Sequence, residues 1–222
     1  MSGDTRGLIL DTAEKLFAEQ GIDAVSLRNI TAQAGVNLAA INYHFRSKDL
    51  LVQEVFARRI RPLNEERLAL LENAESKAGV GPLQVEAVLR ALFEPAIRLS
   101  SDPERGHIFL RICGRIWSEP SLRTSQIFDD LFEELIARFG VAFRKAIPDL
   151  PPEDMLWRTH FSVGAMLFVM THGDILRKTS RGLCDPANVE RAVAQMVHFT
   201  AAGMRAPVIL SETDAEAPKV RR

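Results

Sequence analysis

The chain has 222 residues, 46% hydrophobic and 26% charged, with a formal net charge of −1. That length buries a real core as one or two domains, and the near-neutral balance excludes a protein that coats nucleic acid along its whole surface. Cys113 and Cys184 are too few and too far apart for a disulfide framework, no apolar run is long enough to span a membrane, and the opening MSGDTRG has no signal pattern, so a reducing cytoplasm is the expected setting.

One Tyr, few β-branched runs and an abundance of Ala, Leu, Arg and Glu predict an all-α chain. Residues 7–20 form the first amphipathic helix, with Ile9, Leu10, Ala13, Leu16 and Phe17 in one stripe and Gly21 ending it. Residues 26–50 then read as two short helices joined by a tight turn, followed by the start of a third. Ser26 caps the first, and Leu27, Ile30, Thr31 and Ala34 form its apolar face. Gly35 takes the left-handed conformation that stops it. Asn37 caps the second helix, in which Ile41 and Phe45 point inward and Ala39, Ala40, Asn42, Tyr43 and His44 point out. Ser47 caps the third, which runs from Lys48 to about Lys77 and is interrupted by Pro62, where a kink or break is expected. That bend is either a lever between the two halves of the chain or a passive one.

The outward face of the second short helix has small residues, an amide, a phenol and an imidazole, and no acidic group. Those groups suit a helix laid in a DNA groove, although an ordinary helical hairpin would share the glycine turn. Charge is distributed to match: residues 1–23 hold two basic and five acidic residues, and residues 24–61 hold six basic and two acidic. The positive charge is expected on the DNA side, with the acidic first helix facing away.

Past the loop at residues 79–82, helices are expected at 83–99, kinked at Pro95, and from Asp102-Pro103 to a stop before Pro120. Further helices are expected at 121–147 and 153–178, and a last one starts at Asp185-Pro186. Residues 153–178 are apolar on nearly all sides, which demands burial on all sides and suggests a second copy of the chain. From residue 206 the chain reads as a loose tail.

The run Ser26-Leu27-Arg28-Asn29-Ile30, with Ala32, Ala34-Gly35-Val36, Tyr43-His44-Phe45 and Ser47-Lys48 at their spacings, resembles the DNA-binding domain of the tetracycline-repressor (TetR) family of bacterial transcription regulators. Ile9-Leu10, Ala13, Leu16-Phe17, Gly21 and Leu50-Leu51 complete a match over residues 9–55. The resemblance implies a three-helix helix-turn-helix head in residues 1–52, an effector-binding and dimerisation domain in 53–205 and a flexible tail in 206–222. It implies a homodimer through the last two long helices, a palindromic double-stranded DNA operator as partner, and release of a repressor by a small, largely apolar effector. A loose likeness around residues 114–120 extends this to fatty-acid or acyl-type effectors. Carried over by resemblance, the DNA-binding residues are Arg28, Asn37, Ala39, Ala40, Asn42, Tyr43, His44 and Lys48. Tyr43, His44 and Lys48 are assigned to phosphates, and Asn42 and the 37–40 turn to base edges. The family often has a cation, hydroxyl or glycine where this chain has Leu38-Ala39-Ala40, a surface suited to thymine methyls.

The expected ligand pocket is lined by Phe93, Ile97, Phe109, Cys113, Trp117, Phe128, Phe132, Met166 and Met170, with His107, Arg111 and His172 as polar handles; the same residues also serve as plain core. No cofactor or metal is expected. Glu104 and His107 have the spacing of half a helical di-metal site without its second half, and no phosphate-binding loop or nucleophile elbow is present, so the chain does not read as an enzyme. The alternative from another class is a helical small-molecule-binding protein that does not read an operator.

Overall fold

A computed structural model describes residues 4–102, 106, 110 and 122–208. Among them are nine helices and no strand. They are α1 (Thr5–Gln20), α2 (Leu27–Ala34), α3 (Leu38–Phe45), α4 (Lys48–Ala78), α5 (Val85–Ser100), α6 (Leu122–Ala146), α7 (Pro152–Thr171), α8 (Gly173–Thr179) and α9 (Val189–Met204). The expected helix from Asp102 to the stop before Pro120 lies largely outside the described residues.

Two hydrophobic cores form. The first joins α1, α2, α3 and the start of α4 around Ile9, Phe17, Ile30, Ile41, Leu51 and Val52, each at most 1% exposed. The second is built by the rest of α4 with α5, α6, α7 and α9 around Leu71, Leu89, Phe93, Phe143, Val193 and Met204. Helix α4 serves both: its buried residues as far as Phe56 face the head, and from Ile60 onward they face the body.

Of the kink or break expected at Pro62, the break does not occur, because α4, 31 residues long, runs through it. Pro62 is exposed, so the carbonyl that its ring deprives of a partner lies on the side where water can satisfy it. The turns on either side are also held by other contacts. N-terminal to it, Arg58 and Arg59 both bind Glu14, a carboxylate only 3% exposed, with Arg59 Nε donating at 2.7 Å. C-terminal to it, Asn64 Nδ2 donates to the Leu131 carbonyl at 2.7 Å, and Arg67 Nε donates to the Leu92 carbonyl at 2.9 Å. These buried groups fasten α4 to α1, α5 and α6, and no buried side-chain polar atom among the described residues lacks a partner. Helix α5 likewise continues through Pro95 to Ser100.

Two further boundaries differ from expectation. Residues 153–178 are not one helix: α7 ends at Thr171, His172 leaves the helical conformation, and α8 follows. Pro186 packs so closely on Gly173, the first residue of α8, that a Cβ there would stand 3.2 Å from its ring. The last helix starts at Val189 rather than at Asp185-Pro186, since Asp185 Oδ1 accepts from the Ala187 N–H in a turn and Asn188 supplies the cap. At its other end, Arg205 grips Glu86 of α5 with two bonds of 2.5 and 2.6 Å, which hold the Glu86 carboxyl below the usual carboxylate range.

Removing the Glu14 carboxylate leaves two arginines, about a quarter exposed, without their shared counter-ion. Glu14→Ala is expected to cost about 2–3 kcal/mol in urea unfolding followed by circular dichroism. Asp11→Ala removes an exposed partner of Arg58 and should cost less than about 0.5 kcal/mol.

Candidate nucleic-acid interface

Helices α2 and α3 are short, and each of their ends is closed by a specific local device. The Ser26 Oγ accepts the Asn29 N–H at 3.1 Å while the Asn29 Oδ1 accepts the Ser26 N–H at 3.0 Å, a reciprocal capping box. Gly35 ends α2 at φ 65° and ψ 29°, and the Val36 N–H reaches back to the Thr31 carbonyl at 3.1 Å. The Asn37 Oδ1 accepts the Ala40 N–H at 2.9 Å to start α3. The Ser47 Oγ accepts the Leu50 N–H at 3.2 Å to start α4. Together these caps fix the angle at which α3 leaves the head, while Ile41 and Phe45 anchor it in the core.

The opposite face of α3 points to solvent. Ala39, Asn42 and Tyr43 are exposed, Tyr43 at 83%, and Ala40 and His44 are half-buried. The Tyr43 and His44 rings meet edge to face at 5.0 Å, which orients the phenol and the imidazole side by side. Arg28 on α2 is exposed, as is Asn37, whose Oδ1 is occupied by the cap and whose amide N–H groups remain to donate. Lys48 is half-buried, and its Nζ lies 3.4 Å from the Asp23 carbonyl.

The electrostatic expectation needs correction. Of the six cations counted toward the DNA side, three are engaged elsewhere: Arg58 pairs with Asp11 and Glu14, Arg59 with Glu14, and Arg61 lies 3.8 Å from Glu54. The acidic first helix does not simply face away, because Glu14 is buried against α4. Arg28, Arg46 and Lys48 remain beside α3.

Arg46 was counted in the positive charge of this segment but given no individual role from sequence. It alone joins α3 to the Ser47 cap, at φ 64° and ψ −41°, and the Ser47 N–H donates across it to the Phe45 carbonyl at 2.7 Å. This is the rare γ-turn with positive φ, costing on the order of 1–3 kcal/mol for a residue with a Cβ. A cation at a helix C-terminus returns only about 0.3–1 kcal/mol. The single residue between Phe45 and a capping serine was the available signal, since so short a link demands an unusual backbone.

In the second domain, Phe93, Ile97, Met166 and Met170 are brought together in one core, with Phe132 half-buried against it. Phe109, Cys113, Trp117, His107 and Arg111 lie outside the described residues, as does the Phe128 side chain; His172 is exposed. A separate cleft of about 340 Å³ opens between the end of α4 and α5, lined by Leu70, Ala74, Lys77, Leu83, Ala87 and Arg90 among others, and contains none of the expected lining.

A three-helix head with a capped, outward-facing second helix defines a helix-turn-helix protein. The tetR-family model of bacterial regulatory proteins matches residues 9–55, and the tetracyclin repressor-like C-terminal domain model matches residues 90–203, more than half of the chain. The chain therefore belongs to the TetR family of transcription regulators, a family of regulators and not of enzymes. It is 33% identical over 110 residues to the HTH-type transcriptional regulator AcrR of Shigella flexneri, covering 49% of this chain and 47% of that one. The chain thus spans about half the length of that curated relative. In fold it is similar to the fatty acid degradation regulator FadR from Bacillus halodurans, with a TM-score of 0.65 at 16% identity over 93% of this chain and all of that one. It is also similar to FadR from Bacillus subtilis in complex with stearoyl-CoA, with a TM-score of 0.60 at 15% identity over 89% and 98% of the two chains.

No atom within 4 Å would meet a Cβ at Gly35, so only its backbone conformation demands glycine. Gly35→Ala is expected to lower head stability by about 1–2 kcal/mol, and Gly35→Asn by less, as measured by thermal unfolding.

Proposed function

We propose that the chain is a homodimeric repressor that reads a palindromic operator with α3 and releases it when a small, largely apolar effector of acyl type binds the second domain. The observation that carries this reading is the α3 face: Ala39, Asn42 and Tyr43 are exposed with no acidic residue among them, on a helix fixed by caps at both sides. Asn42 is suited to a base edge, and Tyr43, His44, Arg28 and Lys48 to phosphates. Two-fold symmetry of the protein imposes two-fold symmetry on the site it reads. In this reading the head is residues 1–52, the effector and dimer domain 53–205 and the tail 206–222.

Dimerisation through the last long helices is supported by what one copy leaves uncovered. Helix α7 buries Met155, Ser162, Met166 and Met170 and exposes Trp157, Phe161 and Phe168 at 58–66%, with Phe199 of α9 exposed at 68%. Trp157, Phe161, Gly164 and Phe168 repeat at spacings of four, three and four, the seam of a helix–helix contact. A Cβ at Gly164 would meet nothing within 4 Å among the described residues, and close approach of a partner helix would account for a mid-helix glycine there.

The effector reading rests on the apolar cluster of Phe93, Ile97, Met166 and Met170 with Phe132, and on the stearoyl-CoA held by FadR from Bacillus subtilis. Helix α6 is the element able to carry the signal: Leu131 packs against both cores, its carbonyl holds Asn64, and Asp130 accepts from Gln53 Nε2 at 3.0 Å. An effector that displaces α6 must bind the two head arrangements with different affinity, or nothing shifts.

Selection of bound duplexes from a random pool is expected to enrich a palindrome. Tyr43→Ala should then weaken binding to every duplex, and Asn42→Ala should change which duplex is preferred; a uniform loss for Asn42→Ala would remove its assignment to a base edge. Gly164→Ala distinguishes an interface from a free surface. On a free surface it stabilises the helix by up to about 1 kcal/mol, whereas at a crossing it raises the dimer dissociation constant in sedimentation equilibrium.

A further inference from the structure

We propose that Arg46 is a further DNA-contacting residue, holding a backbone phosphate at the C-terminal end of α3; the inference rests on the operator-binding reading above. The side chain is exposed, and no carboxylate or hydrogen-bond partner meets it among the described residues. Arg58, Arg59 and Arg61 are in ion pairs, so Arg46 joins Arg28 and Lys48 as a cation on the α3 side of the head.

The backbone at Arg46 is fixed on both sides. Its own N–H donates to the Asn42 carbonyl at 3.2 Å, and the Ser47 N–H closes the turn across it. Phe45 before it is buried, and α4 begins two residues after it with Leu51 and Val52 in the core. The direction of the Cα–Cβ bond is therefore set by the head, and only the side-chain torsions remain free. Arg46 is the C-cap of α3, the next residue after the helix that carries Asn42 and Tyr43.

Glycine is the residue that takes positive φ freely, and helices commonly end on it. An arginine in its place keeps a strained backbone, and the favourable charge–dipole interaction is too small to offset that strain. The C-terminal end of α3 is the negative pole of its helix dipole, which disfavours an approaching phosphate. A cation fixed at that pole turns a repulsive approach into an attractive one. Its position after the helix, with bases read by the N-terminal part of a recognition helix, makes the contact one to phosphate and independent of sequence.

The test measures binding of the full-length protein to two duplexes across a salt series: the one enriched from the random pool and a scrambled one of equal length. Arg46→Gly keeps the turn and removes the cation. It is expected to weaken binding to both duplexes about 5- to 10-fold and to reduce the slope of log K against log salt by about one, with no fall in melting temperature. Arg46→Lys should restore most of the affinity and the slope. If Arg46→Gly binds like the unmodified protein while Tyr43→Ala binds weakly, Arg46 makes no phosphate contact and the inference is overturned. A lowered melting temperature with unchanged binding also overturns it, by showing a structural cap. If the unmodified protein enriches no duplex, the operator reading itself has failed.

Discussion

Helix α4 must satisfy two hydrophobic cores with one continuous register, and the rest of the architecture depends on that constraint. A helix fixes the angle between any two of its residues, so Leu51, Val52 and Val55 can face the head only if Ile60, Leu63 and Leu71 face the body in the same setting. A break at Pro62 would uncouple the two faces. Polar groups hold the helix on either side of the proline instead, with Glu14 gripping Arg58 and Arg59 before it, and Asn64 and Arg67 tied to main-chain carbonyls after it. Buried pairs of this kind add little net stability compared with apolar packing, but a wrong register would leave them unpaired in a dry interior, and that is costly. Specificity of register follows from that asymmetry.

The same ion pairs shape the surface offered to DNA. Residues 24–61 look basic in sequence, yet Arg58 and Arg59 are spent on holding α1 to α4, and Arg61 lies beside Glu54 of its own helix. What remains near α3 is a small group of cations around a neutral, hydrogen-bonding helix face. In the proposed reading, nonspecific attraction is kept modest and the polar groups of α3 carry more of the discrimination.

The second domain leaves several large apolar side chains exposed. Trp157, Phe161, Phe168 and Phe199 are each largely exposed, and Trp157 stacks on Phe161 with ring centres 5.5 Å apart. Gly164, on the same helix as the first three, has no neighbour within 4 Å of a Cβ among the described residues. Leu131 of α6 touches both cores at once, so the body and the head share a contact beyond the continuous helix that joins them.

Local chemistry was readable from the sequence alone. Ser26, Gly35, Asn37 and Ser47 act through backbone groups two to four residues away, and apolar spacing alone puts Ile30, Ile41 and Phe45 inside. The family resemblance rested on those same short-range patterns, which is why the head was legible in detail. The tertiary structure decided whatever depended on residues distant in the chain. Glu14 meets Arg58 and Arg59 more than forty positions away, which turned expected DNA cations into struts. Packing on both flanks carried α4 through Pro62, and a run that looked like one helix divides at His172, next to the contact of Pro186 with Gly173. Arg46 lies between the two cases. Its neighbours in sequence demand a one-residue link, but only the folded angle between α3 and α4 places that link at positive φ.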